Sequence, residues 1–338
     1  MVGGVVYYLA KPPSPTPQPL GKSLVSIVKG EDVNSMVSEA LNLIGGIEHV
    51  VMPGDKVLIK PNFTWVGGAR HPKGWRCSPQ TEVEVAANTT DPEVIEALVR
   101  IVKDAGGKVI IGEGSGGCET LDAFTIVGVD AIAEKYGVKT VDLNRDECIK
   151  VEVPDPLILS EVWVPKTVRE ADVIISVPAL KAWPLSGITV SLKNMIGTAP
   201  GNYYGWSKEM GNIEPGLPHG RLPEPTIDYT IVDLASVNRI NLAVVDGLWG
   251  NEGTWTKGLK PVKMDVIIAG FDPVAVDSVS AMVMGFDPKK IRHLNLAREK
   301  YLGTNLLDEI IVKGRKIEEV RKYFEPPSGL EHIRYVGT

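Results

Sequence analysis

Cysteine and histidine are scarce in this chain, and positive charge is in the minority. Three cysteines, Cys77, Cys118 and Cys148, and five histidines occur among 338 residues. The cysteines are far apart, odd in number and without a C-x-x-C pair. That spacing excludes a zinc knuckle or a ferredoxin-type iron–sulfur cluster. Buried free thiols in a reducing, cytoplasmic setting are expected. A Cys77–Cys118 or Cys118–Cys148 disulfide stays open as the alternative. No histidines stand at H-x3-H or H-E-x-x-H spacing, so no metal site follows from local pattern. There is no G-x-S-x-G nucleophile turn. No apolar run reaches the length of a membrane span. With 42 acidic against 36 basic residues, net −6, general nucleic-acid binding is not expected, because phosphate binding needs a basic surface.

What is present is the composition of a soluble globular protein, 43% hydrophobic and 23% charged. The length suits about two domains or one large one. We expect an arm and Pro-rich linker over residues 1–22, a first α/β lobe over 23–150, a second over 151–325 and a tail over 326–338. Residues 5–10 are apolar but follow no basic residue, which makes a poor signal peptide. Such an arm suits strand addition to a neighbouring subunit, giving a homo-oligomer. A loose tail is the competing expectation.

The periodicity predicts strands at residues 24–28, 57–59, 108–111, 140–143, 157–164, 172–176, 242–245, 266–269 and 310–312. Helices are predicted at 33–43, from 90 onward, and at 130–136, 167–171, 186–197, 227–237, 274–284 and 289–300. Residues 63–90 and 200–225 are long and irregular, with a short strand expected at 83–87. Alternating strands and helices imply parallel strands with crossover helices. The expected fold is therefore α/β: two Rossmann-like lobes with mostly parallel sheets and a cleft between them.

Ligands in such sheets gather beyond the carboxyl ends of the strands. Lys60 and Asn62, Glu113 and Ser115, and Lys181 follow strands; Lys193 and Asn194 sit on the next predicted helix. Several lysines converging on one cleft suit a small anionic substrate, although each alone is more often a solvated surface lysine. The Gly-rich loop at residues 112–117 lacks the G-K-[ST] of a P-loop. On the acidic side, Asp246 and Glu252 follow one strand and Asp272 the next, with Asp277 inside a helix. They read as candidate ligands for a divalent metal, magnesium or manganese by their oxygen donors, or as helix caps. His71 and His219 lie in the irregular segments, where function concentrates.

Six blocks in order carry a resemblance: residues 30–62, 90–114, 171–181, 191–197, 244–253 and 272–294. Together they resemble the domain-of-unknown-function 362 family, which is similar in fold, distantly, to the nickel-pincer lactate racemases. Many family members carry a four-cysteine ferredoxin-like segment, and this chain has none. Members often show Lys-x-His after the strand at 172–176; here it is Lys181-Ala182-Trp183. His219 falls where the family often has another histidine. The resemblance speaks to family more than activity; from the residues at the strand ends, the first reading is an enzyme with a small anionic substrate in the cleft. Lys181, Lys193 and His219 would be catalytic, Lys60, Asn62, Glu113, Ser115 and Asn194 would hold the ligand, and Asp246, Glu252 and Asp272 would hold a metal. The alternative is a non-catalytic binding or self-assembling protein on the same fold.

Overall fold

The computed structural model describes residues 21–206, 208 and 227–336. The expected arm at 5–10 and His219 lie outside the described residues. Buried strands here are short β-branched runs, as expected where both faces of a sheet are covered. In chain order they are β1 (Ser23–Lys29), β2 (Lys56–Lys60), β3 (Lys108–Glu113), β4 (Lys139–Asp142), β5 (Cys148–Glu152), β6 (Glu161–Pro165), β7 (Val173–Ser176), β8 (Ala179–Trp183), β9 (Gly187–Thr189), β10 (Leu242–Asn251), β11 (Pro261–Gly270) and β12 (Ile310–Gly314).

The α/β class and the mostly parallel sheet are as expected. Strands of both expected lobes meet in one sheet, ordered β12-β1-β11-β10-β7-β2-β3-β4, with β8 on β10 and β9 on β8, while β5 and β6 pair apart as a two-stranded sheet. β7 is the link, because it pairs in parallel with both β2 and β10. The alternation of side chains supplies two cores: Val57 and Ile59 of β2 enter one and Leu58 the other. The chain runs outward from β2 to β3 and β4, then returns to β7 on the other side of β2. That reversal makes a topological switch point at the carboxyl ends of β2 and β7, where such sheets bind ligands.

Two local readings differ from the sequence expectation. Residues 83–87 lie within a helix, Glu82–Asn88, rather than a strand. Thr81 and Glu84 form a reciprocal capping box that starts it. The helix expected at 186–197 divides into β9, the single turn Ser191–Asn194 and a 3-10 turn, Met195–Thr198. Its start is held by Asp277, which accepts hydrogen bonds from Ser191 N at 2.8 Å and Leu192 N at 2.9 Å. Asp277 therefore acts across helices, from the middle of Pro273–Val283 to the first turn of its neighbour.

Burial pushes the Asp277 carboxyl from the ordinary 3.8 up to about 6, against the pull of the two N–H groups and of His293. A folded carboxyl that titrates higher than the unfolded one binds protons preferentially in the folded state. Its contribution is greatest below the unfolded value and is lost as pH rises through 4 to 6. The shift is equivalent to at most about 3 kcal/mol. In chemical denaturation from pH 4 to 7, the stability difference between the natural protein and Asp277→Asn is expected to change by up to that amount, favouring the natural protein at low pH. A difference independent of pH would contradict it.

Candidate functional site

β2 and β3 are parallel neighbours, so their last residues lie side by side. Those residues are Lys60 and Glu113. Lys60 Nζ is 2.8 Å from Glu113 Oε2, with both side chains at most 2% exposed. The ammonium also donates to Pro61 O at 2.9 Å and Asn194 Oδ1 at 3.0 Å. Glu113 is satisfied in turn by Gly114 N and Phe63 N. Burial pulls the Lys60 ammonium below its usual range, and the Glu113 carboxylate opposes that pull.

Asn194 grips the same strand end. Its amide nitrogen donates to Lys60 O at 3.0 Å and Ser176 Oγ at 3.1 Å, bridging β2 and β7. Gly197 lies against the ion pair with no room for a side chain. A Cβ there would stand 2.3 Å from Glu113 Oε1 and 2.6 Å from Lys60 Nζ. The Gly-rich loop serves close packing as well. A Cβ on Gly114 would meet Gly197 O, and one on Gly117 would meet Trp65 and Thr64 O.

Lys60, Glu113 and Asn194 line a cavity of about 620 Å³. Asn62 and Lys193 line it too. Lys193 Nζ lies 4.7 Å from the centre of the Trp183 ring, which stacks on Trp255 at 5.5 Å. Trp65 and Trp75, 5.5 Å apart, also line the cavity, with His71 stacked on Trp75 at 4.1 Å. Lys208, a cavity residue not singled out in the sequence, donates to Gly114 O at 2.6 Å. The cavity is thus a mostly apolar, tryptophan-walled space with cations and amides at the strand ends.

Lys181 stands behind this surface. From β8 its Nζ donates to Asn62 Oδ1 at 2.6 Å and Asn88 O at 2.9 Å, and both asparagines line the cavity. It orients Asn62 rather than facing a ligand. Ser115 is also off the cavity wall: its hydroxyl donates to Thr64 O and lies 3.0 Å from Cys118 Sγ.

The expected acidic half of the site is not assembled. β10 and β11 are an antiparallel pair, with Ala243 opposite Gly270 and Asp246 opposite Ile267. Their carboxyl ends therefore point to opposite edges of the sheet, which places Asp272 far along from Asp246. Asp272 caps Pro273–Val283, accepting from Val274 N, Ala275 N, Ser23 Oγ and Thr304 N. Glu252 accepts from Glu325 N at 2.8 Å and ties down the C-terminal segment. Asp246 accepts from Asp91 N at 2.7 Å and Leu248 N at 3.0 Å. Burial first, and then the Asp91 carboxylate, pushes it up to about 7. Through Asp91 it fixes Thr90, whose hydroxyl accepts from Asn62 N. Asp246, Glu252 and Asp272 do not fit a shared divalent ion, because the antiparallel pairing separates Asp272 from Asp246 and each carboxylate is engaged by a different segment. Among the described residues no group of three or more histidine, cysteine, aspartate or glutamate side chains is placed to hold a metal.

Breaking a buried pair strands a charge and costs about 3–5 kcal/mol, whereas removing both partners does not. Lys60→Met and Glu113→Leu are each expected to lose stability on that scale in denaturant titrations. The double variant Lys60→Met/Glu113→Leu should recover most of it. Additive losses would show that the two charges are not coupled.

Comparison with known proteins follows the same boundaries. A family model described as a domain of unknown function (DUF362) matches residues 57–282. A thylakoid-associated protein of Synechocystis sp. is 28% identical over 277 residues, 78% of this chain and 73% of the relative. Among solved structures, the lactate racemase apoprotein of Thermoanaerobacterium thermosaccharolyticum aligns with 78% of this chain at 14% identity and a TM-score of 0.43. This chain spans 57% of that protein's length. No helix among the described residues is long and apolar enough to cross a membrane. The matched segment contains every cavity-lining residue, from Lys60 to Leu259, and the chain belongs to the domain-of-unknown-function DUF362 family.

Proposed function

We propose that the cavity binds a small organic anion with a flat apolar body and that the chain is an enzyme that moves a proton on it. The observation that carries this reading is the buried Lys60–Glu113 pair at the switch point, on the wall of the cavity. Burial lowers the proton affinity of the Lys60 ammonium. An anion entering beside Lys60 competes with Glu113 for the ammonium proton, which makes the pair a proton donor and acceptor next to the ligand. Lys193 supplies a second positive charge, held over Trp183. The tryptophan walls suit an aromatic or conjugated body, and Asn62 and Asn194 offer directional hydrogen bonds. Isomerisation or racemisation next to the anionic group is the reaction class that such a pair serves.

A second reading, a binding protein without chemistry, is favoured by one feature. Lys60 Nζ already has three protein acceptors, as expected of an ammonium kept for structure.

Four of the seven tryptophans line the cavity, so ligand entry should quench intrinsic fluorescence. Titration with aryl carboxylates, aryl phosphates and inorganic phosphate is expected to show aryl anions binding at least tenfold tighter than inorganic phosphate. Lys193→Met should weaken them at least tenfold. Absence of any aryl-anion binding would overturn the proposal. Deuterium uptake from D2O at the carbon beside the carboxylate of a bound arylacetate, read by NMR and lost in Lys60→Met, is the expected sign of catalysis. Binding without uptake supports the second reading.

A further inference from the structure

Cys77 and Cys118 lie far apart in sequence but meet beside the cavity. Cys77 follows the turn that carries Trp75, and Cys118 ends the Gly-rich loop; Trp75, Ser78 and Gly117 all line the cavity. Both cysteines are thiols, 2% and 0% exposed. Cys77 Sγ lies 3.4 Å from Gly117 O, the carbonyl of the residue preceding Cys118. Each thiol is the largest influence on the other's proton affinity, as expected of neighbouring sulfurs. Cys118 also contacts Ser115 Oγ at 3.0 Å. No residue of the proposed proton-transfer machinery uses either sulfur.

We infer that Cys77 and Cys118 form a redox-active dithiol that closes reversibly to a disulfide when a hydroperoxide oxidises it. The pair is asymmetric in the way the chemistry needs. Cys118 lowers the proton affinity of the Cys77 thiol, while Cys77 and burial hold Cys118 well above the usual thiol range. Cys77 is then the nucleophile and Cys118 the resolving thiol. In the first step the Cys77 thiolate attacks one peroxide oxygen and the O–O bond breaks. Cys77 becomes a sulfenic acid and hydroxide leaves. In the second step Cys118 sulfur attacks Cys77 sulfur and the S–O bond breaks. The Cys118 proton and the departing hydroxide leave as water. Overall, two thiols and one hydrogen peroxide give one disulfide and two waters, a two-electron oxidation of the pair matched by reduction of the peroxide. The bond fastens the Trp75 turn to the Gly-rich loop, two walls of the same cavity.

Cys148 provides an internal control. It is the more exposed cysteine, yet burial and the carboxylates of Asp146 and Glu147 push its thiol up to about 12. It should therefore be the slowest to react with peroxide. The full-length reduced protein is treated with stoichiometric hydrogen peroxide, alkylated with iodoacetamide, digested and mapped by mass spectrometry. The expected product has lost two hydrogens, links the Cys77 and Cys118 peptides, carries alkylated Cys148 and returns to the reduced mass with dithiothreitol. Cys118→Ser is expected to accumulate sulfenic acid at Cys77, trapped by dimedone. Oxidation first at Cys148, or no Cys77–Cys118 cross-link in the natural protein, would overturn the inference. The natural-protein result stands whether or not the variant folds.

Discussion

Much of this structure depends on one buried ion pair. Lys60 and Glu113 close two adjacent parallel strands at the point where the sheet reverses its winding, and both are withdrawn from water. Two such charges are tolerated only with close geometry and filled hydrogen-bond valences. The surroundings supply both. Asn194, Pro61 O, Gly114 N and Phe63 N complete the coordination, and Gly197 keeps the space above the pair free of a side chain.

Behind the pair stands a set of supporting polar groups, each one contact removed from the cavity. Asp277 fixes the turn that presents Lys193 and Asn194. Lys181 orients Asn62, and Asp246 reaches the same asparagine by way of Asp91 and Thr90. Asp277 and Asp246 thus act as staples for backbone N–H groups, while Lys60, Lys193, Asn62 and Asn194 line the cavity. A cavity positive at its strand ends and aromatic at its sides follows from that division.

The sequence showed the cationic and amide half of the site because it depends on a local rule. Residues that end parallel strands converge at one edge, so Lys60, Asn62 and Glu113 line one cavity, joined by Asn194 from the turn Ser191–Asn194, while Ser115 and Lys181 lie off its wall. The acidic half failed for a topological reason. The apolar runs at residues 242–245 and 266–269 look alike whether parallel or antiparallel, and the observed antiparallel pairing sends Asp272 to the far edge. The tryptophans and Lys208 reach the cavity from long irregular segments, where periodicity carries no signal. Residues 83–87 alternate like a strand, yet the Thr81–Glu84 capping box makes them a helix. The family, by contrast, was readable from the ordered blocks, and a family model matches residues 57–282.

Lysine side-chain NMR offers the most direct test of the claim that the ion pair faces and senses the ligand. The Nζ signal of Lys60, assigned by its loss in Lys60→Met, is followed through pH with and without phenyl phosphate. The expected result is titration below the ordinary ammonium range in the unliganded protein and an upward shift on binding, as a new anion stabilises the charge. An ordinary titration unchanged by the ligand would contradict the assignment of Lys60 and Glu113 to the binding site.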